Sequence, residues 1–263
     1  MKTIVVSNSK GGIGKTTVSI NLSAGLARKS YKVLLIDLDP QGQSTVSLQV
    51  KIGQKQTVSD LLCDKNCRAV DVIQDTYIEG LHIVPSDINI AVAEIELSSL
   101  PAKEFQLRSK ILDQVNYDFV IIDSSPTFGN LLANAFQLAN YVIIPIHLRY
   151  LSLVGSNTFL DVINHMNENV GSFIKHRTEI LGVLYNFYKV HTNQSKRILE
   201  GANSIFGDLV FNTTISENIK LSEAQEAGKS IFDYAAGSPA AQAFEELTNE
   251  ILERLQCKVP MKL

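Results

Sequence analysis

A short glycine-rich segment near the N-terminus combines the residue types that bind phosphate. The sequence KGGIGKTT (residues 10–17) follows the apolar run TIVVS and precedes a stretch with apolar residues at helical spacing. Closely spaced glycines let successive backbone N–H groups face one anion, and a helix N-terminus adds its positive end. The terminal GKT matches the end of the P-loop pattern, although Ser9 stands where the pattern has its first glycine. The segment predicts a variant P-loop that holds a nucleotide's phosphates, with an unliganded glycine-rich turn as the alternative.

Two lysines in this loop need separate explanations. Lys15 can reach the β- and γ-phosphates, and the hydroxyl of Thr16 can ligate Mg²⁺. Lys10 stands at the start of the loop, so it is either a solvated surface lysine or a residue that crosses to the nucleotide of a second subunit. In the second case its ammonium would neutralise the charge that develops on the γ-phosphoryl group. The residues of this segment that we expect to bind the nucleotide are Lys10, Gly11, Gly12, Ile13, Gly14, Lys15, Thr16 and Thr17.

Carboxylates follow two further apolar runs. The run VLLIDLD ends with Asp37 and Asp39, and Pro40 stops it. Residues at i and i+2 of a regular strand share a face, so we expect Asp37 near the Mg²⁺ site and Asp39 within reach of a water at the γ-phosphate. The run YDFVIID ends in Asp123, as in a Walker B strand, where the carboxylate orients Mg²⁺. The residues predicted for the metal site are Thr16, Asp39 and Asp123.

The elements that must position these residues alternate between strand and helix. Buried strands are predicted from apolar runs at residues 3–7, 32–39, 81–86, 117–123, 140–146 and 179–186. Helices are predicted at residues 16–28, 104–115, 130–138, 153–166 and 193–205, and a closing helix begins after the N-cap Ser238. This order predicts an α/β fold of the P-loop NTPase type, with a mostly parallel twisted sheet flanked by helices on both faces. We expect one domain over residues 1–263, with the C-terminal helix 238–256 packed on it and ligands at the carboxyl ends of the strands.

Composition narrows the class of protein. The chain has 263 residues, of which 45% are hydrophobic and 19% charged, with a formal net charge of −3. No apolar run approaches the roughly 18–20 residues that span a bilayer, and the N-terminus enters a strand at once, so we expect a cytoplasmic protein. The net charge argues against a generally basic surface but allows a local basic patch. Three cysteines without a second pair or nearby histidines predict reduced thiols rather than a metal site: Cys63, Cys67 and Cys257.

Together the motifs resemble those of the ParA family of deviant-Walker ATPases, which partition plasmids and chromosomes and position other cargo. KGGIGKTT is similar to the family's phosphate loop, with its signature lysine at Lys10, and VLLIDLDPQGQST and YDFVIIDSSP resemble its second motif and its Walker B strand. NIKLSEAQEAGKSIFDY (residues 218–234) resembles the segment that closes over the adenine. The resemblance extends from residue 3 to about residue 255 and is to the small type without an N-terminal helix-turn-helix.

The resemblance implies a role for each matched residue. Lys15 binds the phosphates in cis, Thr16 and Asp123 hold Mg²⁺, Asp39 positions the attacking water, and Lys10 acts across an ATP-sandwiched homodimer. Asn218 is implied as a further nucleotide-binding residue. The ATP-bound dimer is expected to bind DNA without sequence preference in the nucleoid. A ParB-type partner on a centromere-like site would then stimulate hydrolysis and release the dimer.

Some positions depart from the family pattern. Ser125 replaces the first of two prolines after the Walker B aspartate, and Ser216-Glu217 replaces Pro-Arg. The surface expected to contact DNA is poor in arginine, so its basic residues are either phosphate contacts or ordinary solvated charges. The candidates for DNA binding are Lys189, His191, Lys196, Arg197 and Lys220.

Two other functions share this scaffold. A MinD-like membrane-positioning ATPase needs a C-terminal amphipathic helix with a basic polar face, whereas acids dominate the polar positions of the closing helix. We therefore expect no membrane partner. An ATP-dependent biosynthetic synthetase would need a set of substrate-binding residues, and none converges outside the nucleotide motifs.

Overall fold

A single sheet forms the centre of the fold. The computed structural model describes residues 1–53, 55–147, 160–188, 200, 203 and 206–257. In this part of the chain the strand order is β3-β4-β2-β5-β1-β6-β7-β8. All neighbouring strands are parallel except β3 and β4, which confirms a mostly parallel sheet. The strands are β1 (Lys2–Val6), β2 (Val33–Leu38), β3 (Gln74–Asp75), β4 (Leu81–Val84), β5 (Phe119–Ser124), β6 (Tyr141–His147), β7 (Glu179–Tyr188) and β8 (Ile215–Ser216).

Helices cover both faces of this sheet. Alternate residues of the central strands point to opposite faces, so that Val5 and Ile122 enter one apolar cluster while Ile4 and Ile121 enter the other. None of the described helices is both long enough and apolar enough to cross a membrane. The labelled helices are α1 (Lys15–Arg28), α2 (Gln43–Ser47), α3 (Val58–Cys63), α4 (Ala69–Val72), α5 (Ile90–Leu97), α6 (Gln106–Ile111), α7 (Asn130–Leu138), α8 (Ile219–Glu226), α9 (Ile231–Tyr234) and α10 (Pro239–Cys257).

The closing helix α10 belongs to the core. Its first turn is capped by Ser238, whose hydroxyl accepts a hydrogen bond from the Ala241 N–H at 3.2 Å. The apolar stripe of the helix is buried with side chains of α1, and its members are Phe244, Leu247, Ile251 and Leu255. Because these side chains lie in the core, they are not available to insert into a membrane surface.

One predicted helix was wrong in its bounds, and two others fall partly or mostly outside the described residues. The helix predicted at 104–115 is a 3₁₀ turn (Lys103–Phe105) followed by α6, which ends early because Leu112 is extended and Asp113 has a φ of 65°. Of the predicted helix 153–166, residues 153–159 lie outside the described residues and residues 160–165 are helical. The predicted helix 193–205 lies outside them except for residues 200 and 203. The short helices α2 to α5 were not predicted.

Candidate nucleotide-binding site

The glycine-rich loop joins β1 to α1 as predicted. Gly12 and Gly14 have φ values of 71° and 84°, a conformation that side chains disfavour, and Gly14 is the N-cap of α1. Lys15 is only 7% exposed, and its ammonium donates a hydrogen bond to the Lys10 carbonyl at 3.0 Å. Burial lowers the pKa of the Lys15 ammonium, against the opposing charges of Asp123 and Asp39. Lys15 is therefore a largely desolvated cation whose charge an anion in the loop would stabilise.

The end of β7 supports this loop from the side. The Asn186 side-chain amide is fully buried and donates a hydrogen bond to the Ile13 carbonyl at 2.8 Å. A Cβ on Gly14 would collide with that amide and with the Phe187 ring, and Phe187 itself has a φ of 56°. Sequence reasoning missed both residues. The available signal was a polar residue at the carboxyl end of the apolar run EILGVLYN, where parallel strands place their ligands.

The two strand-end aspartates lie next to each other. Asp37 on β2 and Asp123 on β5 are partners in the parallel register, and both side chains are buried. Burial raises the pKa of Asp37 to about 7, and the negative charge of Asp123 adds to the effect. Burial likewise raises the pKa of Asp123 to about 6. Two carboxyl groups thus share a dry site in which a cation would favour their charged forms.

Hydroxyl groups surround Asp123. Its carboxylate accepts hydrogen bonds from Ser44 at 2.8 Å and from Ser19 at 3.2 Å, and it also accepts one from Thr16. The structure therefore brings Thr16 and Asp123 together, as the sequence predicted for a Mg²⁺ site. The Ser7 hydroxyl, in the residue that follows β1, is buried and has no hydrogen-bond partner among the described residues.

Asp37 lies beside this site, but its oxygens are committed to the polypeptide. It accepts hydrogen bonds from the backbone and hydroxyl of Thr45, at 2.9 and 2.8 Å, and from the Asp39 N–H at 3.1 Å. The Thr45 hydroxyl in turn accepts a bond from the Ser86 N–H, and the Ser86 hydroxyl donates to the Asp39 carbonyl at 2.9 Å. This closed network fixes the backbone of Asp39 from both sides. Sequence reasoning did not find Thr45 or Ser86.

Asp39 begins a tight turn at the carboxyl end of β2. The Gly42 N–H donates to its carbonyl and the Gln41 N–H to its side chain, both at 2.9 Å. The Asp39 side chain is half-buried. The Asp39 charge contributes to the raised pKa of Asp123, and it opposes the larger effect of burial on the pKa of Lys15. The three side chains therefore share one electrostatic environment. Strand β2 ends at Leu38, one residue before the predicted end, so Asp39 lies in the turn that follows the strand.

The donor set fits magnesium and a triphosphate. Carboxylate and hydroxyl oxygens are the ligands that Mg²⁺ prefers, and here Thr16, Asp123 and Asp39 supply them. A Cβ on Gly12 would meet no atom of the described residues within 4 Å beyond its chain neighbours, so the loop backbone is open to a ligand at this residue. Together with the desolvated Lys15 ammonium, this arrangement suits an anion that carries a divalent cation.

The remaining predicted residues differ in what the structure says of them. Asn218 caps α8, because its side-chain oxygen accepts a hydrogen bond from the Lys220 N–H at 2.9 Å. The ammonium of Lys220 is already paired with Glu223 at 2.7 Å and lies over the Tyr234 ring. The other DNA-binding candidates, Lys189, His191, Lys196 and Arg197, lie outside the described residues.

The segment that begins at Asn218 adjoins the loop that follows Asp39. The Gln225 amide donates to the Gln43 side chain at 3.0 Å, and the Gln49 amide donates to the Gly228 carbonyl at 2.9 Å. Helix α8 therefore contacts α2, which carries Thr45, the residue that donates two hydrogen bonds to Asp37. Among the described residues, Cys63 and Cys67 are cysteines without a disulfide bond.

Comparison with known proteins places this site in a family. A family model described as "AAA domain" matches residues 1–176. The chain is 36% identical over 253 residues to the sporulation initiation inhibitor protein Soj of Bacillus subtilis, covering 95% of this chain and 98% of that protein. It is 31% identical over 258 residues to the chromosome partitioning protein ParA of Caulobacter vibrioides, covering 97% and 95%. The chain belongs to the ParA family. This confirms the resemblance drawn from its motifs and makes it a member of a family of partitioning ATPases.

A solved structure also matches this chain over almost its whole length. The cobyrinic acid a,c-diamide synthase of Mycobacterium smegmatis, with bound ADP and magnesium, superimposes with a TM-score of 0.83. The two chains are 26% identical, and the match covers 99% of this chain and 98% of that one. The likeness confirms the predicted P-loop α/β fold.

Proposed function

We propose that the protein binds Mg²⁺·ATP at this site, dimerises on it and hydrolyses it to drive the segregation of plasmid or chromosomal DNA. The observation that carries the proposal is the convergence of Lys15, Asp39, Asp123 and Thr16 at one edge of the sheet. The identity to Soj over nearly the whole chain supports the partitioning role.

Each group has a task that follows from its surroundings. The N–H groups of the loop and the Lys15 ammonium bind the phosphates, and the low exposure of Lys15 strengthens that attraction. Thr16 and Asp123, with Asp39, would hold Mg²⁺, which when bound neutralises charge on the β- and γ-phosphate oxygens. Asp39 holds the attacking water, because its half-buried carboxylate is the member of the cluster at the open end of β2.

The signature lysine supplies a second cation from the neighbouring subunit. Lys10 is half-buried at the start of the loop, and its carbonyl already accepts the hydrogen bond from Lys15. Two ammonium groups can approach one triphosphate only from different sides. In a face-to-face dimer each Lys10 reaches the partner's γ-phosphate and stabilises the charge of the transition state.

The dimer would bind non-specific DNA and respond to a ParB-type partner. Binding to phosphate groups is electrostatic, so it should weaken steeply with salt. The pairing of Lys220 with Glu223 leaves that lysine a weak phosphate contact. Contact with DNA therefore depends on the other basic candidates at 189–197.

The experiment that tests the proposal is gel filtration with a DNA-binding assay in ATP and in ADP, using wild type and Asp39→Ala. We expect Asp39→Ala to bind ATP, to form a stable dimer and to retain DNA while hydrolysis is lost. Wild type should dimerise in ATP but not in ADP. Its ATP hydrolysis should become faster when the partner and DNA are added. A monomer that hydrolyses ATP at full rate, or equal DNA binding in ADP, would contradict the proposal.

A second candidate is an amide-forming biosynthetic synthetase, favoured by the match to the diamide synthase structure. The higher identity to Soj and ParA makes it second. ATP hydrolysis that rises with a small-molecule carboxylic acid, and not with DNA and partner, would reverse this order.

A further inference from the structure

The asparagine that precedes the phosphate loop joins this loop to the neighbouring strand β6. Asn8 is 8% exposed, and its side-chain amide donates a hydrogen bond to the Pro145 carbonyl at 2.9 Å. Its side-chain oxygen accepts a hydrogen bond from the Lys10 N–H at 3.2 Å. One buried side chain therefore connects the signature lysine to the carboxyl end of β6.

The bond to Pro145 takes the place of a bond of the sheet. Strands β1 and β6 are parallel, and the Ser7 N–H donates to the Ile143 carbonyl at 3.1 Å. In a regular parallel ladder, the N–H two residues after Ser7 would bond to the carbonyl two residues after Ile143, which is that of Pro145. The Asn8 side chain supplies this donor instead. The backbone can therefore leave the strand direction while the buried carbonyl keeps a partner.

The bond to Lys10 is that of an Asx-turn, in which an asparagine side chain bonds to the backbone two residues further on. It engages the N–H of Lys10, while the carbonyl of Lys10 accepts the hydrogen bond from the Lys15 ammonium at 3.0 Å. The two bonds hold the Lys10 backbone from both sides. They thereby set the direction in which its side chain leaves the loop.

A bound nucleotide would affect these two bonds differently. Phosphate oxygens in the loop would compete with the Lys10 carbonyl for the Lys15 ammonium, because charged acceptors form the stronger hydrogen bonds. Asn8 has its donor on Pro145 and its acceptor on Lys10, so its bonds stay within the polypeptide. With phosphate bound, the bond from Asn8 would be the one that still holds Lys10.

Asparagine meets a double requirement at this position. The side chain has to donate to a carbonyl and accept from an N–H at the same time, and an amide does both. Aspartate keeps the acceptor but lacks the donor. Serine can accept from the N–H two residues further on, although it forms the weaker turn, and alanine can do neither.

We propose that Asn8 is a positioning residue that directs the Lys10 side chain towards the nucleotide of the neighbouring subunit. The Pro145 carbonyl fixes Asn8 relative to β6, which lies beside β1 in the sheet. The bond between Asn8 and Lys10 belongs to the single chain, whereas its effect on dimerisation rests on the proposed function.

The first experiment measures the bond to Lys10 without nucleotide. Exchange of the Lys10 amide proton with water is followed by NMR in wild type, Asn8→Ala and Asn8→Ser. Loss of the acceptor in Asn8→Ala should speed this exchange about tenfold, and Asn8→Ser should give an intermediate rate. The same rate in wild type and Asn8→Ala would overturn the proposal, because Lys10 would then not be held by Asn8.

The second experiment measures the dissociation constant of the ATP-bound dimer by sedimentation velocity, in the Asp39→Ala background so that hydrolysis does not interfere. Asn8→Ala and Lys10→Ala are combined there in a double-mutant cycle. ATP affinity is measured at protein concentrations below those at which the dimer forms.

Asn167→Ala is the matched control for both experiments. The Asn167 side chain also donates to a backbone carbonyl and accepts from a backbone N–H, both of Thr178, at 3.0 and 2.9 Å. Thr178 lies at the amino end of β7, whereas the candidate site lies at the carboxyl ends of the strands. Asn167→Ala should match wild type in the exchange of the Lys10 amide, in ATP affinity and in dimerisation.

We expect Asn8→Ala to weaken the dimer about tenfold while the ATP affinity of the monomer changes by less than about threefold. Asn8→Ser should recover part of this loss. In the Lys10→Ala background, Asn8→Ala should weaken the dimer no further, because it acts through the missing side chain. An unchanged dimer in Asn8→Ala, or the same loss in both backgrounds, would overturn the positioning role.

The single variant Lys10→Ala separates this inference from the proposed function. If Lys10→Ala leaves the dimer unchanged, the role of Lys10 across the dimer fails, and the exchange measurement still decides whether Asn8 holds Lys10. If Lys10→Ala weakens the dimer and Asn8→Ala does not, only the positioning role of Asn8 fails.

Discussion

The buried aspartate pair predicts an unusual dependence of stability on pH. Without a cation, Asp37 and Asp123 face each other in neighbouring strands, and burial raises the pKa of Asp37 from 3.8 to about 7. The folded protein therefore holds the Asp37 proton more tightly than the unfolded chain does. Ionisation of Asp37 works against folding, so the free energy of unfolding falls as pH rises from about 4 to about 7. Replacement of Asp37 by asparagine removes this titration.

The size of the effect follows from the pKa values. At about 1.4 kcal/mol per pKa unit, the rise in the pKa of Asp37 corresponds to about 4 kcal/mol, of which about 3 kcal/mol falls between pH 5 and pH 8. The hydrogen bonds from Thr45 and Asp39 that asparagine cannot accept add a cost that does not change with pH. The free energy of unfolding of Asp37→Asn, relative to that of wild type, should therefore rise by about 3 kcal/mol between pH 5 and pH 8.

The assay is urea denaturation of both proteins in EDTA without nucleotide, at several pH values in that interval. Subtracting one curve from the other cancels the titration of groups remote from Asp37, whereas Asp123, whose charge acts on Asp37, contributes to the difference. Glu226→Gln, which changes an exposed acid on α8, is the control for loss of one charge and should follow wild type. A stability difference between Asp37→Asn and wild type that stays constant within about 0.5 kcal/mol would refute the reasoning.

Four further substitutions test separate parts of the structure. Lys15→Ala should abolish ATP binding measured by calorimetry, and unchanged affinity would exclude the loop as the site. Lys10→Ala should leave binding to the monomer nearly intact but impair ATP-dependent dimerisation or turnover; normal values of both would contradict a role across the dimer. Thr45→Val leaves the Ser86 N–H and the Asp37 carboxylate each short of a partner, so urea denaturation should show a loss of about 1–3 kcal/mol. Phe244→Ala removes a fully buried ring from α10 and should cost about 3–5 kcal/mol of unfolding free energy, whereas a loss under 1 kcal/mol would show that α10 packs loosely.

Features encoded by local pattern could be predicted from the sequence. The central strands β1, β2 and β5 are near-continuous apolar runs, and they were predicted close to their observed bounds. The glycine loop is recognisable from its residue types, which also gave the position of Lys15 at the start of α1. The helix α3 was missed although Thr57 and Asp60 form a capping box that the sequence displays. Helices as short as α2 and α4 offer too few residues for a period to emerge.

Contacts between distant segments could not be predicted in the same way. The hydroxyl of Thr45 meets the Ser86 N–H only because β2 and β4 are neighbours in the sheet. Nothing local distinguishes that threonine from others in the chain. The same holds for Glu94, whose role as the cap of α7 requires the packing of two helices.

The contact between the end of β7 and the phosphate loop couples two positions that are distant in the sequence. Ile13 and Asn186 are 173 residues apart in the chain, yet the amide of one side chain fills the space that any substituent on Gly14 would need. A larger residue at 14 would meet both the Asn186 amide and the Phe187 ring, and it would also have to adopt the positive φ of Gly14. A smaller residue at 186 would therefore not be enough to accommodate it.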